Sequence, residues 1–121
     1  SVGVQQLYQA FRQDAQFYVV YIREAHPSDG DWADAQIKVV DPTTLADREK
    51  VATQCAGELK FPFPTLVDDM NDSANLAYGA WPERLYLIDT NRRVEFKGGI
   101  GPFGFNPQFL GKYLNEYFGY E

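Results

Sequence analysis

The chain has 121 residues, 45% of them hydrophobic and 16% aromatic, which suffices for one compact core and rules out a disordered chain. Its formal net charge of -6 at pH 7 argues against a broad nucleic-acid or anionic-membrane surface. No apolar run approaches the ~20 residues needed to span a bilayer.

Val4, Leu7, Tyr8 and Phe11 recur at i, i+3, i+4 and i+7, one apolar stripe of an amphipathic helix. Phe17–Ile22 follows as six apolar residues rich in β-branched and aromatic types, predicting a strand buried on both faces. Residues 27–42 read mostly as loop, with a short apolar segment at Ile37–Val40. Thr43 or Thr44 caps a second helix whose buried face is expected at Val51, Cys55 and Leu59. Phe61-Pro62-Phe63-Pro64 stops that helix, because proline blocks its continuation. Thr65–Val67 reads as a short strand, and Asp72 or Ser73 opens a brief helix that ends at Gly79. Arg84–Ile88 and Arg93–Lys97 flank the polar turn Asp89-Thr90-Asn91-Arg92, a hairpin signal in which Val94 and Phe96 share a face. After the glycine-rich link Gly98–Gly104, Asn106-Pro107 starts a last helix with Phe109, Leu110, Tyr113, Leu114 and Phe118 as its apolar face.

The resulting order, αβαβαββα, predicts an α/β fold: a mixed sheet flanked by helices, with parallel crossovers and a late antiparallel hairpin. It resembles a thioredoxin-like order whose first, central strand is missing. Residues 1–121 are then a single domain that is incomplete at its N-terminus. Either the chain is a fragment, or a homo- or hetero-oligomeric partner supplies the strand, since an unfilled centre would leave strand edges unpaired.

The most telling stretch is Tyr21-Ile22-Arg23-Glu24-Ala25-His26-Pro27-Ser28-Asp29-Gly30, which carries the only histidine. It sits where a parallel strand gives way to a loop, the usual place for ligand contacts in α/β sheets. Glu24 and His26 lie two apart and share a side if the chain stays extended. An imidazole there can pass a proton near neutral pH, and a neighbouring carboxylate can orient it. The competing reading has His26 merely closing its own loop.

Glu24-Ala25-His26-Pro27-Ser28-Asp29-Gly30, Ala77-Tyr78-Gly79-Ala80, Glu83-Arg84-Leu85-Tyr86 and Gly98-Gly99 with Gly101-Pro102 follow one another in an order and spacing that resemble the iodothyronine deiodinases, thioredoxin-fold reductive dehalogenases. The style is closer to bacterial deiodinase-like proteins. The resemblance implies His26 and Glu24 as catalytic residues that handle protons, and Arg84 as a substrate-binding residue that orients a small anionic or aromatic molecule. It also implies a thiol reductant. Two departures stand out: Asp31 separates Gly30 from Trp32, and the family's selenocysteine or cysteine nucleophile would fall upstream of Ser1. A complete parent would be a thiol- or selenol-dependent oxidoreductase, a reductive dehalogenase or peroxiredoxin-like enzyme. The alternative is a non-catalytic interaction subunit that keeps the fold without the nucleophile.

The remaining signals read as structure. Cys55 is the only cysteine, which excludes an internal disulfide, a CxxC pair and a cysteine-based zinc site, and its helical spacing predicts a core role. The Gly98–Gly104 segment lacks the spacing and Lys-Ser/Thr of a phosphate cradle and reads as a tight turn needing unusual backbone angles. Asp68, Asp69 and Asp72 do not fit an EF-hand and are expected to cap a helix. Trp32 and Trp81 are expected to pack. A cis bond at Pro82 is a further expectation, although its register is offset by one from the usual cis-proline. No cofactor or metal is expected. No leader is legible from Ser1 onward, which leaves a soluble protein of cytoplasm or periplasm as the expectation.

Overall fold

The structure is a computed structural model and describes residues 2–24 and 40–120. Its elements run α1 (Val2–Phe11), β1 (Val19–Tyr21), α2 (Leu45–Leu59), β2 (Thr65–Val67), α3 (Ser73–Tyr78), β3 (Tyr86–Ile88), β4 (Val94–Lys97) and α4 (Pro107–Tyr117). The order is the expected αβαβαββα of a thioredoxin-like α/β fold. The strands do not form the expected single sheet: β1 pairs with β2 in parallel, and β3 pairs with β4 antiparallel. The chain divides into two compact units, Ser1–Phe17 with Glu83–Glu121, and Tyr18–Pro82.

In the first unit the predicted stripes of two helices meet. Leu7 and Phe11 of α1 and Leu110 and Leu114 of α4 form the buried cluster, against which Phe17, Leu85, Leu87, Phe96 and Phe118 pack. Each such buried side chain contributes about 1.5–3 kcal/mol relative to exposure. Asn106 caps α4, its Oδ1 accepting from the Gln108 N–H at 3.0 Å, with Pro107 in the first turn. Phe109, expected on the apolar face, is exposed, because the buried stripe is the narrow i, i+4, i+8 row Leu110, Leu114 and Phe118.

The hairpin differs from the simple alternation. Its register pairs Leu87 with Phe96 but Ile88 with Val94, with a shift between Leu87 and Ile88. The extra residue, Glu95, moves Val94 to the face opposite Phe96, so Val94 is exposed while Phe96 meets the core. The following glycines serve close approach rather than unusual backbone angles. None of Gly98, Gly99, Gly101 or Gly104 has a positive φ. A Cβ on Gly104 would meet the Ile100 carbonyl at 2.4 Å, and one on Gly101 would meet the Glu83 side chain at 2.3 Å.

In the second unit β1 and β2 align Val19 with Thr65, Val20 with Leu66 and Tyr21 with Val67. Backbone bonds bracket the pair, Val19 N–H to the Pro64 carbonyl at 3.0 Å and Asp68 N–H to the Tyr21 carbonyl at 2.8 Å. Thr44 caps α2, its Oγ1 accepting from the Asp47 N–H at 3.1 Å, and Lys60 closes it in the left-handed conformation ahead of the prolines.

Two expectations are corrected here. Val20 and Leu66, opposite one another, are 43% and 49% exposed, so the strand is not buried on both faces. Burial on both sides needs a layer on each, and α2 packs against β2 as one layer only. The buried residues of α2 are Arg48 and Ala52, not the predicted stripe; Cys55 is half-buried and Leu59 exposed. The stripe is displaced because Arg48, a charged residue, is drawn inward by oxygen atoms beyond β2.

Candidate functional site

The C-terminal ends of β1 and β2 lie side by side, and the chemistry-bearing groups of the second unit gather there. β1 stops at Tyr21, and the chain bends at Arg23 before Glu24. The extended geometry assumed from the spacing of Glu24 and His26 therefore ends before Glu24 is reached. His26 lies outside the described residues. The bend returns Glu24 to its own strand, where the Tyr21 hydroxyl donates to Glu24 Oε2. Both residues are half-buried. Burial, reinforced by the hydrogen bond to Glu24 and its charge, pushes the Tyr21 phenol well above its ordinary 10.0, so it stays protonated as a donor.

Cys55 of α2 is near enough to feel the same carboxylate. Burial pushes its thiol above the ordinary 9.0, and the negative charges of Glu24 and Glu58 add to the effect. A nucleophilic cysteine needs the reverse, an electropositive setting that favours the thiolate. The half-buried position is shallower than expected, but it is no better suited to redox chemistry.

Arg48 is the structural centre of this edge. It is 3% exposed and reaches across to the turn after β2. Its Nη1 donates to the Asp69 carbonyl at 2.7 Å, and its Nη2 pairs with Asp72 Oδ1 at 3.0 Å. That ion-pair contact lacks hydrogen-bond alignment, and Arg48 Nε finds no hydrogen-bond partner among the described residues. The carboxylates of the turn do the capping expected of them, but not from the expected residue. Asp72 holds the N-cap position in the left-handed conformation without a side-chain bond. Asp68, 5% exposed, does the capping instead. Its Oδ1 accepts from the Asp69 and Ala74 N–H groups and its Oδ2 from Asn75 N–H, each at 2.9 Å. Asp69 accepts from Asn71 and Ser73 N–H groups, and the Ser73 hydroxyl leads the bonds that hold its carboxyl below the ordinary 3.8. Among the described residues no group of three His, Cys, Asp or Glu side chains is placed to hold a metal ion.

Arg84 belongs to the other unit, just ahead of β3, where its Nε donates to the Gly98 carbonyl at 2.9 Å. That bond ties the arginine to the glycine-rich segment and fixes the root of the guanidinium. The Trp81–Pro82 peptide bond is cis, as is Gly101–Pro102. Trp81 is half-buried, its backbone N–H donating to Asn75 Oδ1 at 2.9 Å.

Sequence reasoning missed Tyr21 and Arg48. A tyrosine three residues before a site glutamate, at a strand end, was the signal for the first. The signal for the second was a lone arginine four residues before Ala52 and seven before Cys55, on the inward face of α2.

The arrangement is that of a thioredoxin-like α/β protein with polar residues gathered at strand C-terminal ends. A family model described as iodothyronine deiodinase matches residues 3–118 of the chain. The chain is 42% identical over 105 residues to a thyroxine 5-deiodinase of Sparus aurata, covering 85% of this chain and 38% of that protein. It is 41% identical over 105 residues to the thyroxine 5-deiodinase of Gallus gallus, covering 85% and 40%. For that of Homo sapiens the figures are 34% over 114 residues, 93% and 37%. The chain belongs to the iodothyronine deiodinase family, and it spans about two fifths of the length of these vertebrate relatives. No helix among the described residues is long and apolar enough to cross a membrane.

Proposed function

We propose that this chain is the core of a thiol- or selenol-dependent reductive dehalogenase acting on a small iodinated aromatic molecule, of which thyroxine is the example its relatives' names offer. Replacing an aromatic halogen by hydrogen consumes two electrons and a proton and releases halide. In this reading a cysteine or selenocysteine upstream of Ser1 attacks, and a thiol reductant restores it. His26 delivers the proton, Glu24 orients or recharges His26, and Arg84 holds an anionic group of the substrate in bidentate fashion.

The observation that carries the reading is Glu24, held at a strand C-terminal end within a family motif that continues to His26. Cys55 is a poor candidate for a substitute nucleophile, because burial and the nearby charges of Glu24 and Glu58 push its thiol above the ordinary 9.0. The test is iodide release from thyroxine, with dithiothreitol as reductant, by the parent protein that includes the residues before Ser1. His26→Ala should lower kcat at least a hundredfold, the scale of a lost general acid. Unchanged turnover in that variant would refute the catalytic role of His26, and no turnover by the parent would refute the enzyme and leave the interaction subunit.

A further inference from the structure

The glycine-rich turn after β4 presents a side chain that adds nothing to the core. Phe103 is 102% exposed, and Ile100 on the same turn is 47% exposed. The backbone beneath them is closely held. Gly98 N–H donates to the Leu85 carbonyl at 2.8 Å, Gly101 N–H to the Glu83 carbonyl at 2.9 Å, and Gly104 N–H to the Ile100 carbonyl at 2.9 Å. A Cβ on Gly99 would meet the Gly104 carbonyl oxygen at 2.8 Å, and the Glu83 side chain fills the place a Cβ on Gly101 would take. Single exposed apolar residues are common on protein surfaces and mean little alone. Phe103 differs because its turn is tied at two points to the segment that bears Arg84. Arg84 Nε donates to the Gly98 carbonyl at 2.9 Å, and the carbonyl that accepts from Gly101 belongs to the peptide joining Glu83 to Arg84. Chain dimensions then place the Phe103 Cα within roughly 15 Å of the Arg84 Cα. One small molecule can meet both side chains.

We propose that Phe103 is a specificity-determining residue for the aromatic part of the substrate: its ring packs against a ring of the iodinated molecule whose anionic group Arg84 holds. The inference rests on the proposed function and on the role given there to Arg84. Aromatic pairs in offset or edge-to-face contact gain more than the burial of their area alone. The turn is already ordered, so little freedom is lost when the ring is covered. The contact is the same in the bound substrate and in the transition state, and it therefore belongs in KM rather than in kcat.

The experiment compares Phe103→Ser and Phe103→Trp in the parent protein that includes the residues before Ser1, with thyroxine as the probe and dithiothreitol as reductant. Phe103→Ser should raise KM for iodide release about fivefold, the scale of a lost aromatic contact, with kcat within twofold of wild type. Phe103→Trp keeps an aromatic face and should hold KM within twofold. Equilibrium dialysis of thyroxine should show the same fivefold rise in Kd for Phe103→Ser, independent of turnover. The unfolding midpoint should not move, and a lowered one would show the ring packing on its own protein and overturn the proposal. A parent that neither binds nor deiodinates thyroxine would refute the functional reading and this inference with it. Normal turnover by the parent, with KM and Kd unmoved in Phe103→Ser, would refute only the role of Phe103. A KM raised for a protein dithiol reductant but not for thyroxine, or loss of a dimer in sedimentation, would overturn the proposal in favour of a protein contact.

Discussion

Replacing Arg48 by methionine removes the group that joins α2 to the turn after β2, while keeping most of its aliphatic stem in place. Removing one partner of a fully buried ion pair costs about 3–5 kcal/mol. The guanidinium side chain is 4% exposed, but the Asp72 side chain retains 22% exposure, which gives the abandoned carboxylate some water and puts the loss at the lower end. The bond to the Asp69 carbonyl at 2.7 Å goes with it, a charge-assisted contact worth about 1.5–3 kcal/mol. These terms overlap, since one side chain supplies both. The unsatisfied Nε works the other way, because methionine relieves an unpartnered buried donor. A net loss of about 3 kcal/mol results, which for a chain of this length lowers Tm by roughly 12 °C. The assay is guanidinium chloride unfolding of the chain followed by fluorescence. Adding Asp72→Asn should recover at least half the loss, because the stranded charge is gone. A loss under about 1 kcal/mol for Arg48→Met would refute the view of Arg48 as the clamp.

Three further outcomes follow from the described groups. Native Cys55 should react with a thiol reagent at least tenfold more slowly than a free cysteine at pH 7, and the chain alone should release no iodide; fast labelling, with turnover lost in Cys55→Ser, would overturn both. Tyr113 donates to Glu95, and that bond is the main reason its phenol is pushed up to about 12. A folded pKa raised above the unfolded 10.0 means that the contribution is fully present below 10.0 and lost as pH rises through about 12. Phenolate absorbance in an alkaline titration should show Tyr113 ionising late, and Glu95→Gln should bring it back toward 10.0. Titration at the ordinary value in the unmodified protein would contradict the contact.

Most of the fold was legible because its signals are local. The i, i+3, i+4, i+7 stripe found α1, Thr44 and Asn106 marked their helices by capping, and Gly79 ended α3 with φ 56°. The failures were all of context. Val94 carries an alternating pattern, but a bulge at Glu95 reverses its face, and no composition rule announces a bulge. Val20 and Leu66 look like core residues because an apolar run cannot say how many layers will cover it. Nothing local marks Arg48 as buried, since charged residues usually stay in water; only the carbonyl of Asp69 and the carboxylate of Asp72, more than twenty positions away, bring it inside. For the site, the motif placed Glu24 at a strand end, but spacing alone assumed an extended chain, and the bend at Arg23 redirected the carboxylate to Tyr21.

That redirection separates what holds the fold from what would hold the chemistry. Arg48 secures α2 to the Asp68–Asp72 turn, yet the register of β1 on β2 is kept by backbone bonds that Arg48 does not make, Val19 N–H to Pro64 and Asp68 N–H to Tyr21. Glu24 in turn depends on the end of β1 through the Tyr21 hydroxyl. Loss of Arg48 should therefore weaken the whole chain without loosening Glu24 at temperatures where the chain remains folded. Loss of the Tyr21 hydroxyl should do the reverse, freeing Glu24 at a smaller expense to stability, about 1.5 kcal/mol, the low end for a hydrogen bond to a charged group between half-buried residues. The C-terminal strand edge thus carries two supports of different kinds, a buried clamp for folding and a short tether for orientation.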